Sequence, residues 1–215
     1  MENKNNKITD ILFKGLTIRR IFGMLLGNLG IGIGVSVFHF SCLGNDPYSG
    51  MILGLSALAG VSYGTFLLCL NSVLFIVQLM FAREYIGLGT LVNWVFVGFT
   101  ADFTYMILTK NVALPTHLLT QILIMLLGVL TMSFAVSLYQ SADAGISPYD
   151  SLPFAIQKKV GKSYFWCRIF CDAFCAVICF ISGGVIGLGT FTCAFCLGPF
   201  ITFFNKNISE KIIRK

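Results

Sequence analysis

Stretches of about twenty apolar residues recur along the whole chain, separated by short polar segments. Each stretch is long enough to cross a hydrocarbon core of about 30 Å as a helix. Hydrophobic residues make up 56% of the 215 residues and charged residues only 11%, which excludes a soluble globular domain. The sequence therefore predicts an all-α, polytopic membrane helix bundle embedded in a lipid bilayer.

Six spans are predicted, at 21–42, 65–82, 86–109, 118–139, 164–182 and 186–204. Two further pieces, 51–60 and 152–162, are too short or too charged to cross and are predicted to be half-length or interfacial helices. The predicted organisation is a basic cytoplasmic segment at 1–20, a first membrane repeat at 21–109 and a loop at 110–117. A second membrane repeat at 118–204 and a basic cytoplasmic tail at 205–215 complete it.

An internal repeat relates the two halves of the chain. At an offset of 101 residues, Pro47 and Tyr48 match Pro148 and Tyr149, and the segment at 60–63 matches 161–164. At an offset of 100, the pentapeptide Ile-Gly-Leu-Gly-Thr recurs identically at 86–90 and 186–190. So many ordered matches indicate two copies of one design.

The orientation of the two halves depends on the number of spans. Six spans place both termini and the loops at 83 and 158–162 on one side and invert the second half, whereas eight spans leave the halves parallel. The distribution of Lys and Arg fits both topologies, because each leaves one basic residue outside. The shortness of 51–60 and the three lysines of 152–162 favour six spans and inverted repeats.

Two polar segments, 43–50 and 144–151, interrupt the apolar sequence just after the first and fourth spans. Each carries glycine, then a residue suited to cap a helix, then proline and tyrosine. Because proline is favoured at the first helical position, each segment is predicted to start a helix with its N–H groups and positive dipole end exposed. The candidate substrate-binding or ion-binding residues there are Asp46, Pro47, Tyr48, Ser147, Pro148, Tyr149 and Asp150.

Charged side chains inside a span are costly, so they mark functional positions. Asp102 lies near the middle of the third predicted span and has no obvious partner close in sequence. We therefore predict that it couples transport to a proton, a cation or the substrate, and that Asp102→Asn abolishes or uncouples transport without unfolding the protein. Asp172 lies one helical turn after Arg168, with which it is predicted to pair, and its repeat counterpart is Asn71.

Nothing in the sequence indicates an enzyme. There is no nucleotide-binding loop and no arrangement for nucleophilic catalysis, so no catalytic residue, cofactor or metal is predicted. Four of the eight cysteines recur every fourth residue from Cys167 to Cys179 and are predicted to pack along one helix face. The net charge of +6 sits at span ends rather than in a patch, which argues against nucleic acid as a partner.

The segments Gly-Ile-Ser-Pro-Tyr-Asp at 145–150, Ile-Gly-Leu-Gly-Thr at 86–90 and 186–190, and Val-Gly-Phe-Thr-Ala-Asp at 97–102 resemble the YczE/YitT-type bacterial integral membrane proteins. The resemblance extends from about residue 20 to residue 205. It implies a multi-pass protein of the bacterial cytoplasmic membrane with a doubled design, and it implies no substrate.

Inverted repeats with helices that start at matched positions are typical of many secondary transporters. The leading hypothesis is therefore a small transporter or permease for a polar or anionic small molecule, with both termini in the cytoplasm. Two alternatives stay open: a substrate-capture subunit of a multi-component transporter, and a non-transporting membrane accessory protein. The glycine-rich helix faces also leave open a homo-oligomer or a membrane partner.

Overall fold

This computed structural model describes residues 17–213, which form helices, turns and no strand. Six described helices are long and apolar enough to cross a membrane, which confirms the predicted all-α membrane bundle. Two shorter helices of 13 residues lie between them. The helices are α1 (Ile18–Phe40), α2 (Pro47–Ala59), α3 (Tyr63–Phe81), α4 (Leu88–Asn111), α5 (Leu118–Ser141), α6 (Pro148–Val160), α7 (Tyr164–Ile181), α8 (Leu188–Phe204) and α9 (Glu210–Ile213).

The last span is longer than the sequence predicts. A π-helical segment, Asn205–Ser209, joins α8 directly to α9, so the predicted tail boundary at residue 205 is too early. The reason is local: the Asn205 side chain accepts hydrogen bonds from Ser137 and Ser141 of α5, so a polar residue continues the helix inside the bundle. Of the predicted basic segment 1–20, residues 1–16 lie outside the described residues, and α1 already begins at 18.

Helices α1 and α5 form the centre of the bundle and cross at close range. A Cβ added at Gly27 would lie 2.7 Å from the Tyr139 backbone nitrogen, and one at Gly34 would lie 3.0 Å from Met132 Cα. Only glycine allows this approach, because an added Cβ would be too close to the neighbouring helix. Close packing of small residues is the usual way in which membrane helices associate. Around them, α2 of the first half packs on α7 and α3 packs on α6, whereas α4 packs on α1 and α3.

One end of the bundle, here called the basic face, carries both ends of the described chain together with Arg83, Lys158 and Lys159. Ile213 contacts Gly23 and Met24 at the start of α1. Lys158 Nζ lies 3.0 Å from Glu84 Oε1. A backbone hydrogen bond lowers the pKa of the Glu84 carboxyl, and the contact with Lys158 lowers it further. The pairing fits six spans, because eight spans would put residues 83 and 158 on opposite sides of the membrane.

The two short helices begin and end in matched ways. Asp46 and Ser147 are the N-caps, with side chains that accept from the backbone N–H groups of Ser49 at 3.0 Å and Asp150 at 3.1 Å. Proline follows at the first helical position in both, and each helix ends at a glycine with positive φ, Gly60 or Gly161. The predicted helix starts are therefore confirmed, and α6 is one continuous helix from 148 rather than a separate piece at 152–162.

Each Gly-Leu-Gly-Thr turn holds the segment that precedes the short helix of the other half. Gly89 N donates to the Ala144 carbonyl oxygen at 2.7 Å, and Gly189 N donates to the Leu43 carbonyl oxygen at 2.8 Å. A Cβ at Gly87 would lie 2.2 Å from Ala144 O, so the contact requires glycine. Through these turns, each at the entry to a helix, each half positions a helix start of the other.

Candidate functional site

A cavity of about 460 Å³, lined by charged, tyrosine and apolar side chains, lies in the middle of the bundle, where the N-termini of α2 and α6 meet. Its walls come from both halves of the chain. Nine of the eleven predicted site residues line it: Asp46, Pro47, Tyr48, Asn71, Ser147, Tyr149, Asp150, Arg168 and Asp172. The two Pro-Tyr helix starts, 101 residues apart in sequence, therefore meet at one site.

The two tyrosines that follow the prolines stack on each other at the centre of this cavity. The ring centroids of Tyr48 and Tyr149 are 3.9 Å apart, with only 9° between the ring planes. The Tyr48 hydroxyl donates to Asn71 Oδ1 at 2.7 Å, and the Tyr149 hydroxyl donates to Asp172 Oδ1 at 2.6 Å. Because Asn71 and Asp172 are themselves repeat counterparts, each half supplies one ring and one acceptor to a matched pair.

The second half alone adds an ion-pair network. Arg168 donates from Nη1 to Asp150 Oδ1 at 2.6 Å and from Nε to Asp172 Oδ2 at 3.1 Å, which confirms the predicted i, i+4 pair and adds a second carboxylate. The guanidinium carbon also lies 5.1 Å from the centroid of the Tyr149 ring. All three charged side chains are partly buried, so their mutual attraction is screened less than that of an exposed pair.

Asp46 contributes a further carboxylate to the cavity wall. Its Oδ2 accepts the Ser49 N–H, whereas its Oδ1 is buried and has no hydrogen-bond partner among the described residues. The position equivalent to Arg168 in the first half is occupied by Leu67, which lines the same cavity. Among the described residues, Asp46 therefore makes no ion pair of the kind that Asp150 and Asp172 make with Arg168.

Helices α3 and α4 close the cavity at one end along a contact we call the sealed seam, formed by Gly64, Gly98 and Asp102. A Cβ at Gly98 would lie 2.7 Å from Gly64 Cα, so the two backbones touch directly. Asp102 Oδ2 accepts the Gly64 N–H at 2.8 Å. This amide belongs to the first turn of α3, where no acceptor exists within the helix, and the carboxylate also faces the positive end of the helix dipole.

The equivalent helices of the second half stand apart along what we call the open cleft, lined by Phe165, Gly198 and Thr202. A Cβ at Gly198 would meet no atom within 4 Å, in contrast to buried Gly98. Helix α7 packs on α2 and α6 rather than on α8. Phe165, which stands at the position of Gly64 in the first half, is 63% exposed. Phe165 of α7 and Gly198 and Thr202 of α8 all line the cavity, so the wall between these two helices is less closely packed than the sealed seam.

The sealed seam and the open cleft lie at opposite ends of the bundle. At the basic face, the Phe154 ring contacts both Tyr85, just after the end of α3, and Tyr164, at the start of α7, with centroids 4.8 and 4.4 Å apart. The end of α3 and the start of α7 are thus neighbours, so these two helices run in opposite directions. The open cleft begins at the basic face, and the seam at Gly64 closes the other end.

Asp102 does not line the cavity. Its partner is distant in sequence: the Gly64 amide on α3 donates to Asp102 Oδ2. Pro148 also stands back from the cavity as the first residue of α6, fully buried. Other residues of the cavity wall were not among the predicted site residues: Tyr63, Asn93, Gln140, Tyr164, Phe165 and Thr202. Tyr63 and Tyr164 did carry a signal, since they are an identical pair in the repeat.

Comparison with known proteins identifies relatives of similar length. The sequence profile of a family of unknown function, DUF6198, matches residues 18–206. An uncharacterized protein of Haemophilus influenzae is 30% identical over 185 residues, which cover 86% of this chain and 82% of that protein. Two Bacillus subtilis proteins are also similar. The uncharacterized membrane protein YczE is 28% identical over 81% of this chain and 79% of its own length. The uncharacterized protein YyaS is 24% identical over 86% of this chain and 92% of its own length. No solved structure gives a significant match. These matches confirm the YczE-type resemblance.

Proposed function

The chain belongs to the DUF6198 family of membrane proteins, and we propose that it is a small secondary transporter or permease for a polar small molecule. One observation carries the proposal: a central cavity with charged and tyrosine side chains lies at the N-termini of two short helices, and the equivalent helices beside it are in direct backbone contact at Gly98 in the first half but not at Gly198 in the second. A binding site at mid-bundle with access from one side at a time is the arrangement that transport by alternating access requires.

The relation between the halves supports this proposal. Equivalent helices α3 and α7 run in opposite directions, and the Tyr48–Tyr149 stack joins equivalent residues at the centre. We infer an inverted repeat whose twofold axis passes near this stack. If the halves exchange conformations, α7 closes on α8 while α3 separates from α4, and the cavity opens to the other side. The polar contacts around the stack are available in both states, because each half supplies its own.

We infer that the basic face is cytoplasmic, since Lys and Arg concentrate on the cytoplasmic side of membrane proteins. Arg83 and Lys158 lie there, whereas Lys110 lies at the opposite end of α4. An impermeant reagent applied to intact cells should label a cysteine placed at Lys110 and spare one placed at Arg83. Labelling at Arg83 would contradict both the orientation and the six-span topology of the proposal.

The transport activity can be tested with purified protein in sealed liposomes. Vesicles are incubated with an aqueous extract of bacterial small molecules, and the solutes that accumulate inside are identified by mass spectrometry against protein-free vesicles. Asp172→Asn, which alters the cavity, should reduce uptake, and Asp143→Asn, which removes the same charge from an exposed turn, should not. Binding without uptake would favour a capture subunit instead, and neither binding nor uptake would favour an accessory protein.

A further inference from the structure

We propose that the central cavity binds an organic cation, with its ammonium group held by the carboxylates of the cavity and by Asp46 in particular. This inference rests on the proposed function, because it names the class of substrate for the same site. It differs from the expectation from sequence that two exposed helix N-termini would attract a polar or anionic molecule.

The first reason is the charge of the cavity wall. Among the described lining residues, three carboxylates, those of Asp46, Asp150 and Asp172, face a single basic side chain, Arg168. Arg168 is already paired with two of them. An anion entering the cavity would have to compete with these carboxylates for the guanidinium and would meet an excess of negative charge. A cation would reduce that excess, which makes the site complementary to positive charge.

The second reason is that the helix N-termini offer an anion little. The Ser49 amide in the first turn of α2 donates to the Asp46 side chain, and the Asp150 amide in the first turn of α6 donates to Ser147. In each helix the side chain of the N-cap residue therefore accepts a hydrogen bond from the first turn, and the positive end of the helix dipole already faces a side-chain oxygen. In α2 the cap is a carboxylate, whose oxygen faces the positive end of the helix.

The third reason is the difference between the two halves at equivalent positions. In the second half, Arg168 places a guanidinium between two carboxylates and above the Tyr149 ring, so the protein itself shows how a cation is held here. In the first half the counterparts of Arg168, Asp150 and Asp172 are the uncharged Leu67, Ser49 and Asn71. Asp46, whose own counterpart is Ser147, is therefore an additional carboxylate, and it keeps one buried oxygen without a hydrogen-bond partner. The substrate supplies the cation for this carboxylate.

Aromatic side chains complete the fit. Besides the stacked pair, Tyr63, Tyr164 and Phe165 line the cavity. Aromatic faces within about 6 Å attract ammonium groups, and they do so most strongly when the cation is desolvated. A cavity of about 460 Å³ is large enough for a small organic cation and more than a bare metal ion needs. The combination of acidic and aromatic side chains is therefore selective for ammonium groups that carry apolar substituents.

The test uses three small molecules of nearly the same shape and different charge: choline, the uncharged 3,3-dimethylbutan-1-ol and the anion 3,3-dimethylbutanoate. Binding to wild-type protein in lipid nanodiscs is measured by isothermal titration calorimetry. Choline should bind about tenfold more tightly than the uncharged alcohol, the gain expected from an ammonium group among aromatic and acidic groups. The carboxylate should bind more weakly than the alcohol. Binding of the carboxylate as tightly as choline, or binding of none of the three, would overturn the inference.

Matched variants locate the effect at Asp46. Asp46→Asn keeps a good helix N-cap and removes the charge, so the fold is retained and choline affinity should fall about tenfold or more. Asp143→Asn removes a carboxylate from an exposed turn and should leave choline affinity unchanged. Equal affinity of wild type and Asp46→Asn for choline would refute the role of Asp46. The comparison of choline, the alcohol and the carboxylate on wild-type protein does not depend on any variant. If the protein transports only neutral or anionic solutes in liposomes, the transport proposal stands and the proposal of a cationic substrate is refuted.

Discussion

The sealed seam rests on direct contact between two glycine backbones, so one added methyl group tests it. In Gly98→Ala the new Cβ would lie 2.7 Å from Gly64 Cα and 3.1 Å from Leu67 Cδ2. Carbon atoms in ordinary contact are about 3.5–4.0 Å apart, so α3 and α4 must separate by roughly 1 Å. Overpacking of this kind costs about 1–3 kcal/mol. The better helix propensity of alanine is gained in the sealed and the separated state alike and does not offset this cost.

A destabilisation of that size shifts the opening equilibrium of the seam by about 5- to 150-fold. The Gly64 amide reports the shift directly. It lies in the first turn of α3, and its acceptor is Asp102 on α4, so its hydrogen exchanges when the seam opens. Exchange is measured in lipid nanodiscs by mass spectrometry with fragmentation to single residues. We expect exchange at Gly64 to accelerate in Gly98→Ala by the same factor.

Gly198→Ala is the matched control. It makes the same substitution at the equivalent position, where an added Cβ meets nothing within 4 Å, so Gly64 exchange should equal that of the wild type. Gly64 exchange in Gly98→Ala within twofold of the wild type would refute the view that glycine contact maintains the seam. Equal acceleration in both variants would show a general loosening of the bundle instead.

Three further predictions concern the helix starts and the seam. Asp102→Asn should keep slow exchange at Gly64, since an amide oxygen still accepts the hydrogen bond, whereas Asp102→Ala should accelerate it. Tyr149→Phe should lower the midpoint of thermal unfolding more than Tyr48→Phe, because it removes a donor from the carboxylate of Asp172 rather than from the amide of Asn71. The expected cost is about 1–3 kcal/mol, measured by a thermal scan of tryptophan fluorescence. Pro148→Ala should reduce uptake in liposomes more than it reduces the yield of folded protein, and equal losses would indicate a purely structural cap.

The sequence predicted most of the site because the repeat identified it. Pro47 and Pro148 mark helix starts through rules that act locally, since proline at the first helical position and an oxygen-bearing cap need no tertiary contact. The doubled pattern then implied that the two starts serve one place. The stack of Tyr48 on Tyr149 confirms that these segments meet, although no distance between them could be predicted.

Asp102 shows where reasoning from sequence fails. A carboxylate in a span is costly unless it has a partner, and a side-chain partner can be sought in the sequence. Its partner is instead the Gly64 backbone amide, which is free only because α3 begins there and which any residue type would carry. A hydrogen-bond partner in the backbone cannot be recognised from the type of residue that carries it. For the same reason the sequence could not distinguish Gly98 in the seam from Gly198 in the cleft.

The crossed Gly-Leu-Gly-Thr contacts constrain how the protein is made. Spans enter the membrane in the order of synthesis, and the Leu43 carbonyl oxygen, just after the first span, is satisfied by Gly189, at the start of the last. The N-terminus of α2 therefore stays without its support until nearly the whole chain has been translated. The Ala144 contact with Gly89, by contrast, forms as soon as the fourth span is in place. It follows that truncation before residue 187 leaves the first helix start unsupported, and that neither half, expressed alone, builds its own half of the cavity.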